Sequence, residues 1–242
     1  MRVCATVLLG PGSESIVGDA IRSVLNDVDG FVLIESGGGP RAVTAALEAI
    51  ADGACKPATA SSFAWTGSYS DARNAALQAA ERGGFDWTVT LDPDERVSLP
   101  EGWRAMLEAH QHTAWMIRDR DEGYAKERIL KCGAGIVWHG RVCENIQSHT
   151  AIMGGHFWEL PKTPEGHRAR YERGVIECRR MIAEGDGRFK WWRHLGTCHA
   201  GLGDHDAAEI SYCAAFDVAK CPEDRALSAY LICELLVLRG ER

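Results

Sequence analysis

Two hydrophobic patterns alternate along the first ninety residues of the chain. Short apolar runs typical of buried strands lie at residues 3–9, just after Gly30, and at residues 87–91. Alanine-rich or amphipathic stretches between them predict helices at about 15–26, at about 41–52, and from 70 or 71 to Gly83. This alternation predicts an α/β domain with a largely parallel sheet. A further helix is expected at about 101–112, followed by short strands and turns as far as residue 150.

The pattern changes after Pro161 and Pro164, which mark a linker. From residue 165 onward the sequence lacks strand-like alternation and consists of long helical runs rich in Ala, Arg and Leu. We therefore expect an α/β domain at residues 1–160 and an all-α segment at residues 161–242.

The helical segment matches a tetratricopeptide pattern in one register. With Trp192 as the first position, the matching residues are Leu195, Gly196, His199 in the aromatic slot, Gly203, Ala208, Tyr212, Ala215 and a late Pro222. Residues 167–182 and 224–239 are expected to be imperfect flanking helices, because one repeat cannot bury its apolar face alone. The alternative is an arbitrary helical hairpin.

Composition narrows the functional classes. The 242 residues are 45% hydrophobic with a net charge of −7, which disfavours non-specific nucleic-acid binding, since that needs a basic surface. The apolar runs are too short for a signal sequence or a membrane span. The nine cysteines contain no C-x-x-C pair, which favours free thiols in a reducing cytoplasm over disulfides or a zinc site. We expect a cytoplasmic protein.

The stretch WTVTLDPDER carries the candidate chemistry. Pro93 ends the apolar strand, so Asp92, Asp94 and Glu95 are expected at the strand's carboxyl end, where α/β sheets bind ligands. Polar or glycine residues also follow the first two strands, and the three loops are expected to form one crevice. Two aspartates one residue apart can face one Mg²⁺ or Mn²⁺ ion. The alternative is an ordinary turn, in which acidic residues are common.

Other carboxylate chemistries fit less well. A haloacid-dehalogenase phosphatase would have its acidic loop after the first strand, whereas this loop follows the third predicted strand and has Arg96 in the place of Thr or Val. A nucleotidyltransferase would carry a basic residue after the glycines of GPGSESIVG, and no P-loop lysine pattern is present.

Four stretches together resemble the family 2 glycosyltransferases of the GT-A fold. They are ESIVGDAIRSVLNDVDGFVLIESGGG, FAWTGSYSDARNAALQAA, DWTVTLDPDE and ERILKCGAGIVWHGRVCENI. The chain is most similar to a bacterial subgroup with tetratricopeptide-like helices after the GT-A domain, which includes lipopolysaccharide-core and peptide S-glycosyltransferases. The resemblance implies a Rossmann-like, mostly parallel central sheet and then an all-α segment. It also implies a nucleotide-diphosphate sugar as donor, with uridine diphosphate the favoured carrier.

The resemblance assigns the metal and donor residues. Asp92 and Asp94 match the D-x-D that binds Mn²⁺ or Mg²⁺ at the diphosphate, and His156 is expected to complete the metal shell unless it is a satisfied core histidine. Glu35 is expected to bind the base or ribose, although the following SGGG lacks the second acid of that family loop. Glu14 matches the glutamate of an Asn-Glu pair whose first member is Ser13 here.

The SDARN stretch supplies further donor-binding candidates. Arg73 is expected to pair with a phosphate oxygen or with Asp92, Asn74 is expected to brace the loop, and Asp71 precedes them. The alternative is a helix N-terminus capped by Ser70 or Asp71, with a solvated arginine.

An inverting transfer needs a base for the acceptor's proton, and the resemblance assigns that role to Glu144 in WHGRVCE. Cys143 stands where the family has histidine, and His139 is a candidate substitute. The acceptor is unidentified, with a polypeptide slightly favoured over a glycan. The sequence is also compatible with an oligomer of this chain. The rival hypothesis is a degenerate glycosyltransferase domain whose helices recruit a partner.

Overall fold

The computed structural model describes residues 1–121, 123–141 and 144–240. These residues form two compact units, the first spanning residues 1–160 and the second beginning at residue 161. Every helix in the described ranges is too short or too polar to cross a lipid bilayer.

The first unit contains ten strands and four α-helices in its described residues. The strands are β1 Val3–Leu9, β2 Gly30–Glu35, β3 Ala58–Ser62, β4 Trp87–Leu91, β5 Glu95–Ser98, β6 Ala114–Asp119, β7 Ala125–Lys131, β8 Trp138–His139, β9 Asn145–Ile146 and β10 Thr150–Glu159. The helices are α1 Val17–Val24, α2 Gly39–Gly53, α3 Tyr69–Arg82 and α4 Trp103–Ala109, with a 3₁₀ turn at Ser13–Ser15.

Eight strands form one sheet in the order β3-β2-β1-β4-β7-β6-β10-β5, and β8 pairs with β9 separately. The pairs β2–β3, β1–β2, β1–β4 and β6–β10 are parallel, while β4–β7, β6–β7 and β5–β10 are antiparallel. The sheet is therefore mostly parallel, as predicted.

All seven residues of β1 are buried because both faces of this central strand are covered. Val3, Ala5 and Val7 pack in one cluster with apolar residues of α1 and α2. Cys4 and Leu8 point to the opposite face, where they pack with alanines of α3. This two-sided burial explains why the strand is a continuous apolar run rather than an alternating one.

Two sequence predictions were wrong in detail. Strand β3, ATASS, was missed because it is a largely exposed edge strand of small residues, so the acidic turn follows the fourth strand instead of the third. Helix α3 starts at Tyr69 and its N-cap is Ser68, whose hydroxyl accepts from the Asp71 amide, so neither Ser70 nor Asp71 caps it.

The second unit consists of α5 Pro164–Ala183, α6 Phe189–Gly201, α7 His205–Val218 and α8 Pro222–Leu238. Each helix packs on the next along the chain. Gly196 lets α6 approach α7 closely, because a Cβ there would lie 2.4 Å from Tyr212 Cδ1. The matched positions Leu195, Ala208 and Ala215 are also buried, whereas Trp192 is only half-buried and its neighbour Trp191 is fully buried. The tetratricopeptide-like assignment stays a prediction.

Candidate active site

The candidate acids lie at one edge of the large sheet. Strands β1, β4, β6 and β10 run in one direction, so their carboxyl ends meet at this edge. Strands β5 and β7 run the opposite way and bring their first residues to the same edge. The sheet order also reverses between β1 and β4, so the turn after β4 occupies the position where doubly wound sheets bind ligands.

The acidic turn is held rigidly between β4 and β5. The Glu95 amide donates to the Asp92 carbonyl at 2.9 Å, which closes the turn around Pro93. The buried Arg96 guanidinium donates to the carbonyls of Pro93 at 3.1 Å and Glu95 at 2.7 Å, and reaches Ile16 O at 3.2 Å. Arg96 therefore fixes the turn that presents Asp92 and Asp94.

Arg73 joins the first aspartate to the candidate base. Its Nη2 donates to both carboxylate oxygens of Asp92, at 3.1 and 3.0 Å, and its Nε donates to Glu144 Oε1 at 3.1 Å. The guanidinium also lies 5.2 Å from the ring centroid of the buried Trp138. Two partners were predicted for Arg73, a phosphate oxygen or Asp92. The structure shows the contact with Asp92 and a second contact, with Glu144.

The environment of Asp92 strongly favours its ionised form. Burial alone would raise the pKa of this carboxyl, but the charges of Arg73 and Arg128 outweigh burial and lower the pKa. Burial alone would lower the pKa of Arg73, but the charges of Asp92 and Glu144 raise it above its ordinary value. Both groups are therefore charged at any pH at which the protein would act.

A second set of charges lies beside the turn and was missed by sequence reasoning. Arg128, only 2% exposed, contacts Glu95 and approaches Asp92 Oδ2 at 3.5 Å. Lys126 Nζ lies 3.1 Å from Glu95 Oε1 and also contacts Glu159. The two cations are two residues apart in β7, AKERILK, so their side chains share a face of the strand. The alternating charges before an apolar run were the sequence signal that could have revealed them.

The charge balance leaves room for a divalent cation. A network of ion pairs at the turn joins the cations Arg73, Lys126 and Arg128 to the carboxylates of Asp92, Glu95, Glu144 and Glu159. Asp94, in the same turn, adds a fifth carboxylate. With Arg96, which also lies at the turn, the formal excess is one negative charge. Oxygen ligands with this excess suit a hard ion such as Mg²⁺ or Mn²⁺, which fills the rest of its shell with phosphate oxygens and water.

His156 is not grouped with the aspartates. It is exposed, it lies opposite Ser98 in the β5–β10 pairing, and its ring neighbours Trp158 at 6.2 Å between centroids. Among residues 1–121, 123–141 and 144–240, no three His, Cys, Asp or Glu side chains cluster as a metal site. The predicted set Asp92, Asp94 and His156 is thus not assembled, and Cys143 lies outside the described residues.

Asn74 and Asp71 support the loops around Arg73. The Asn74 side chain bonds both backbone groups of Trp138, with Nδ2 donating to its carbonyl at 3.1 Å and Oδ1 accepting from its amide at 2.8 Å. Asp71 Oδ2 accepts from Thr66 Oγ1 at 2.8 Å. Asn74 therefore braces strand β8 ahead of Glu144, and Asp71 fixes the loop before α3.

Glu35 and Glu14 are separate from this network. Glu35 Oε1 accepts from the amides of Gly39 at 3.0 Å and Gly37 at 2.7 Å, and these bonds lower the pKa of the exposed carboxyl. Glu35 thus braces its own loop, and a hydrogen bond with the Ser62 side chain also lowers the pKa of this carboxyl. Glu14 is exposed on the 3₁₀ turn and lines a groove with residues of α1 and α2, including Asp19 and Glu48.

Comparisons with known proteins identify the fold. No family model and no curated protein matches the sequence. Residues 1–349 of S. aureus TarS match with a TM-score of 0.52 at 11% identity, covering 100% of this chain and 92% of that one. A longer S. aureus TarS structure matches over 96% of this chain and 52% of its own length, with a TM-score of 0.50 at 12% identity.

A third solved structure is the mannosyltransferase PcManGT from Pyrobaculum calidifontis in complex with GDP-Man and Mn²⁺. It matches with a TM-score of 0.52 at 13% identity, over 97% of this chain and 80% of that chain. At these identities the likeness concerns the fold. The predicted fold class is confirmed, with an α/β domain of mostly parallel sheet followed by helices.

Proposed function

We propose that this chain is a metal-dependent, inverting glycosyltransferase that moves a sugar from a nucleotide-diphosphate sugar to an unidentified acceptor. The observation that carries the proposal is the Asp92–Arg73–Glu144 chain of contacts, because it joins a D-x-D turn and a candidate base that lie far apart in the sequence. The solved structure with GDP-Man and Mn²⁺ shares the fold and supports this class of donor.

In this proposal Asp94 and Asp92 hold a Mn²⁺ or Mg²⁺ ion. When bound, the ion would neutralise the diphosphate leaving group as its bond to the sugar breaks. Both Asp92 oxygens accept from Arg73, which would hold this carboxylate in position for the ion. His156 has no role in this metal set.

Glu144 is proposed as the general base that takes the acceptor's proton. Its bond from Arg73 Nε to Oε1 orients the carboxylate, and the second oxygen is the one proposed to accept the proton. Arg73 and Asn74 are positioning residues, because one holds Glu144 directly and the other fixes the Trp138 backbone ahead of it. Glu35 remains a proposed donor ligand.

The second candidate function is a binding scaffold with a degenerate active site, and one observation favours it. The carboxylates do not depend on a metal ion to relieve their mutual repulsion, because Arg73, Lys126 and Arg128 already pair with them. The retention of these acids is therefore compatible with a purely structural role. In that case the helical unit would be the functional part and would recruit a partner.

Thermal shift with nucleotide sugars separates the two functions. UDP-, GDP- and TDP-sugars are tested with and without Mn²⁺ on the wild type, on Asp94→Asn, and on Asp206→Asn as a control at an exposed helix position. The enzyme proposal expects stabilisation that needs nucleotide and metal together, is lost in Asp94→Asn, and persists in Asp206→Asn. Absence of any shift in the wild type would favour the scaffold.

A further inference from the structure

A small cavity lies between helix α3 and the large sheet, beside Arg73. Its volume is about 10 Å³, and leucine, alanine and tryptophan side chains form the apolar part of its lining. The polar part consists of four side chains, Thr6, Arg73, Thr88 and Thr90. A cavity of about this volume holds one water molecule, provided that polar groups surround it. The size and the lining therefore fit a water molecule and are too small for a larger ligand.

Three threonines make this part of the buried sheet face polar. Thr6 and Thr90 are register partners on the adjacent strands β1 and β4, and Thr88 Oγ1 lies 3.1 Å from Thr6 Oγ1. All three are buried, on the face of the sheet that α3 covers. The other face of β4 is apolar and belongs to the main core. Because side chains alternate along a strand, the sequence WTVTL places both of its threonines on the α3 face.

The Arg73 guanidinium has one nitrogen without a hydrogen-bond partner among the described residues. Nε donates to Glu144 and Nη2 donates to Asp92, whereas Nη1 is buried and unpaired. Arg73 as a whole is only 9% exposed, so Nη1 is out of reach of bulk water. An unpaired buried N–H group costs free energy, and the cost is larger for a charged group. Because Arg73 lines the cavity, an acceptor bound there is placed to pair with Nη1.

We propose that the cavity binds one buried water molecule, which accepts from Arg73 Nη1 and bonds the hydroxyls of Thr6 and Thr90. A hydroxyl can donate once and accept twice, so Thr6 keeps capacity for the water beyond its bond with Thr88. Buried water molecules typically make about three hydrogen bonds to groups that would otherwise be unpaired. The site belongs to the fold, and it does not rest on the proposed function.

An anion fits the cavity less well than water does. Arg73 carries one positive charge and already pairs with the carboxylates of Asp92 and Glu144, so a further negative charge beside it would be repelled. A neutral water molecule meets no such repulsion. By pairing with Nη1, the water would fix the third nitrogen of the guanidinium and so hold the other two against Asp92 and Glu144.

A crystal structure of the whole chain, at a resolution that shows ordered water, tests the site directly. We expect one water peak at hydrogen-bond distance, about 2.7–3.2 Å, from Arg73 Nη1 and from a threonine hydroxyl of the cavity. An absent peak, or a protein group paired with Nη1, would overturn the proposal. An anomalous signal in the cavity of crystals soaked in bromide would also overturn it, because the site would then hold an anion.

Solution measurements on the whole chain test the part played by Thr90. Magnetic relaxation dispersion of the water signal counts the water molecules that a protein holds for a long time. Thr90→Val, which replaces the hydroxyl with a methyl group of similar size, should lose one such molecule, and Thr90→Ser should keep it. Thr113→Val, at a half-buried threonine outside the cavity, is the matched control and should equal the wild type. An unchanged count in Thr90→Val would overturn the assignment of a water molecule to this cavity. If Thr90→Val does not fold, the crystal structure decides alone.

Discussion

The arginines around the acidic turn differ in exposure from two arginines on helix α5. In the sheet unit, Arg73, Arg96 and Arg128 have side chains no more than 10% exposed, and each contacts a carboxylate at or near the acidic turn. In the helical unit, Arg168 and Arg180 pair with glutamates one turn away, with side chains 72% and 50% exposed. A buried arginine must be paired and desolvated with its partner, whereas an exposed pair contributes little. The exposed fraction of an arginine side chain therefore distinguishes the candidate site from a solvated helix surface better than the number of charges does.

The largest expected stability effect comes from removing a buried arginine. Arg128→Met leaves Glu95 buried with Lys126 as its remaining cation, and we expect a loss of about 3 kcal/mol in unfolding free energy. Arg180→Met removes an exposed pair and should cost about 0.5 kcal/mol or less. Urea unfolding of both variants measures the difference. Equal losses would remove the distinction between the buried and the exposed arginines.

The next effect tests packing in the helical unit. Gly196→Ala places a methyl group 2.4 Å from the Tyr212 ring, and overpacking of this kind costs about 1–3 kcal/mol. Gly187→Ala is the matched control, because its nearest contact would be Trp192 Nε1 at 3.9 Å. Thermal unfolding should show a lowered midpoint for the first variant alone. An unchanged midpoint in Gly196→Ala would mean that α6 and α7 are less closely packed than described.

The smallest effect is a pH dependence in the helical unit. Burial, assisted by Arg193, Arg170 and Lys190, lowers the pKa of His194 from 6.5 to about 4. Because the folded pKa is depressed, the unfolded chain takes up the proton first. The neutral ring's contribution is therefore complete above pH 6.5 and lost as the pH falls towards 4. We expect this to remove about 2 kcal/mol of unfolding free energy by pH 5.

His194→Gln removes the titrating ring and should flatten that part of the stability curve measured between pH 7 and 4. The control is His167→Gln, at an exposed position of α5, which should leave the curve unchanged. A curve for His194→Gln that still falls as steeply as the wild type's would assign the pH dependence to other groups.

The sequence predicted most of the fold for identifiable reasons. Strands β1, β2 and β4 are buried on both faces, so they appear as continuous apolar runs that need no tertiary information. Strand β3 is mostly exposed, and ATASS has neither an apolar run nor alternation. Its place in the sheet comes from parallel pairing with β2, which no local pattern encodes.

The sequence predicted site residues that directly follow a clearly apolar strand. It was less informative about contacts that depend on which strands pair in the sheet. Arg73 was expected to pair with a phosphate oxygen or with Asp92, and the structure shows the contact with Asp92. The link from Arg73 to Glu144, and the part played by Arg128, depend on which strands lie side by side at the acidic turn. His156 was expected at the metal from its position in the sequence, but the β5–β10 register sets it opposite Ser98.

The most direct test of the central claim is the turnover of a Glu144→Gln variant. The amide oxygen can still accept from Arg73, so the site should keep its shape while losing its base. Metal-dependent hydrolysis of the nucleotide sugar identified by thermal shift is measured for the wild type, Glu144→Gln, and Glu165→Gln as an exposed control. We expect turnover to fall at least about 100-fold in Glu144→Gln with donor affinity retained, and Glu165→Gln to match the wild type. Wild-type turnover in Glu144→Gln would contradict the assignment of the base and the account of the site built around it.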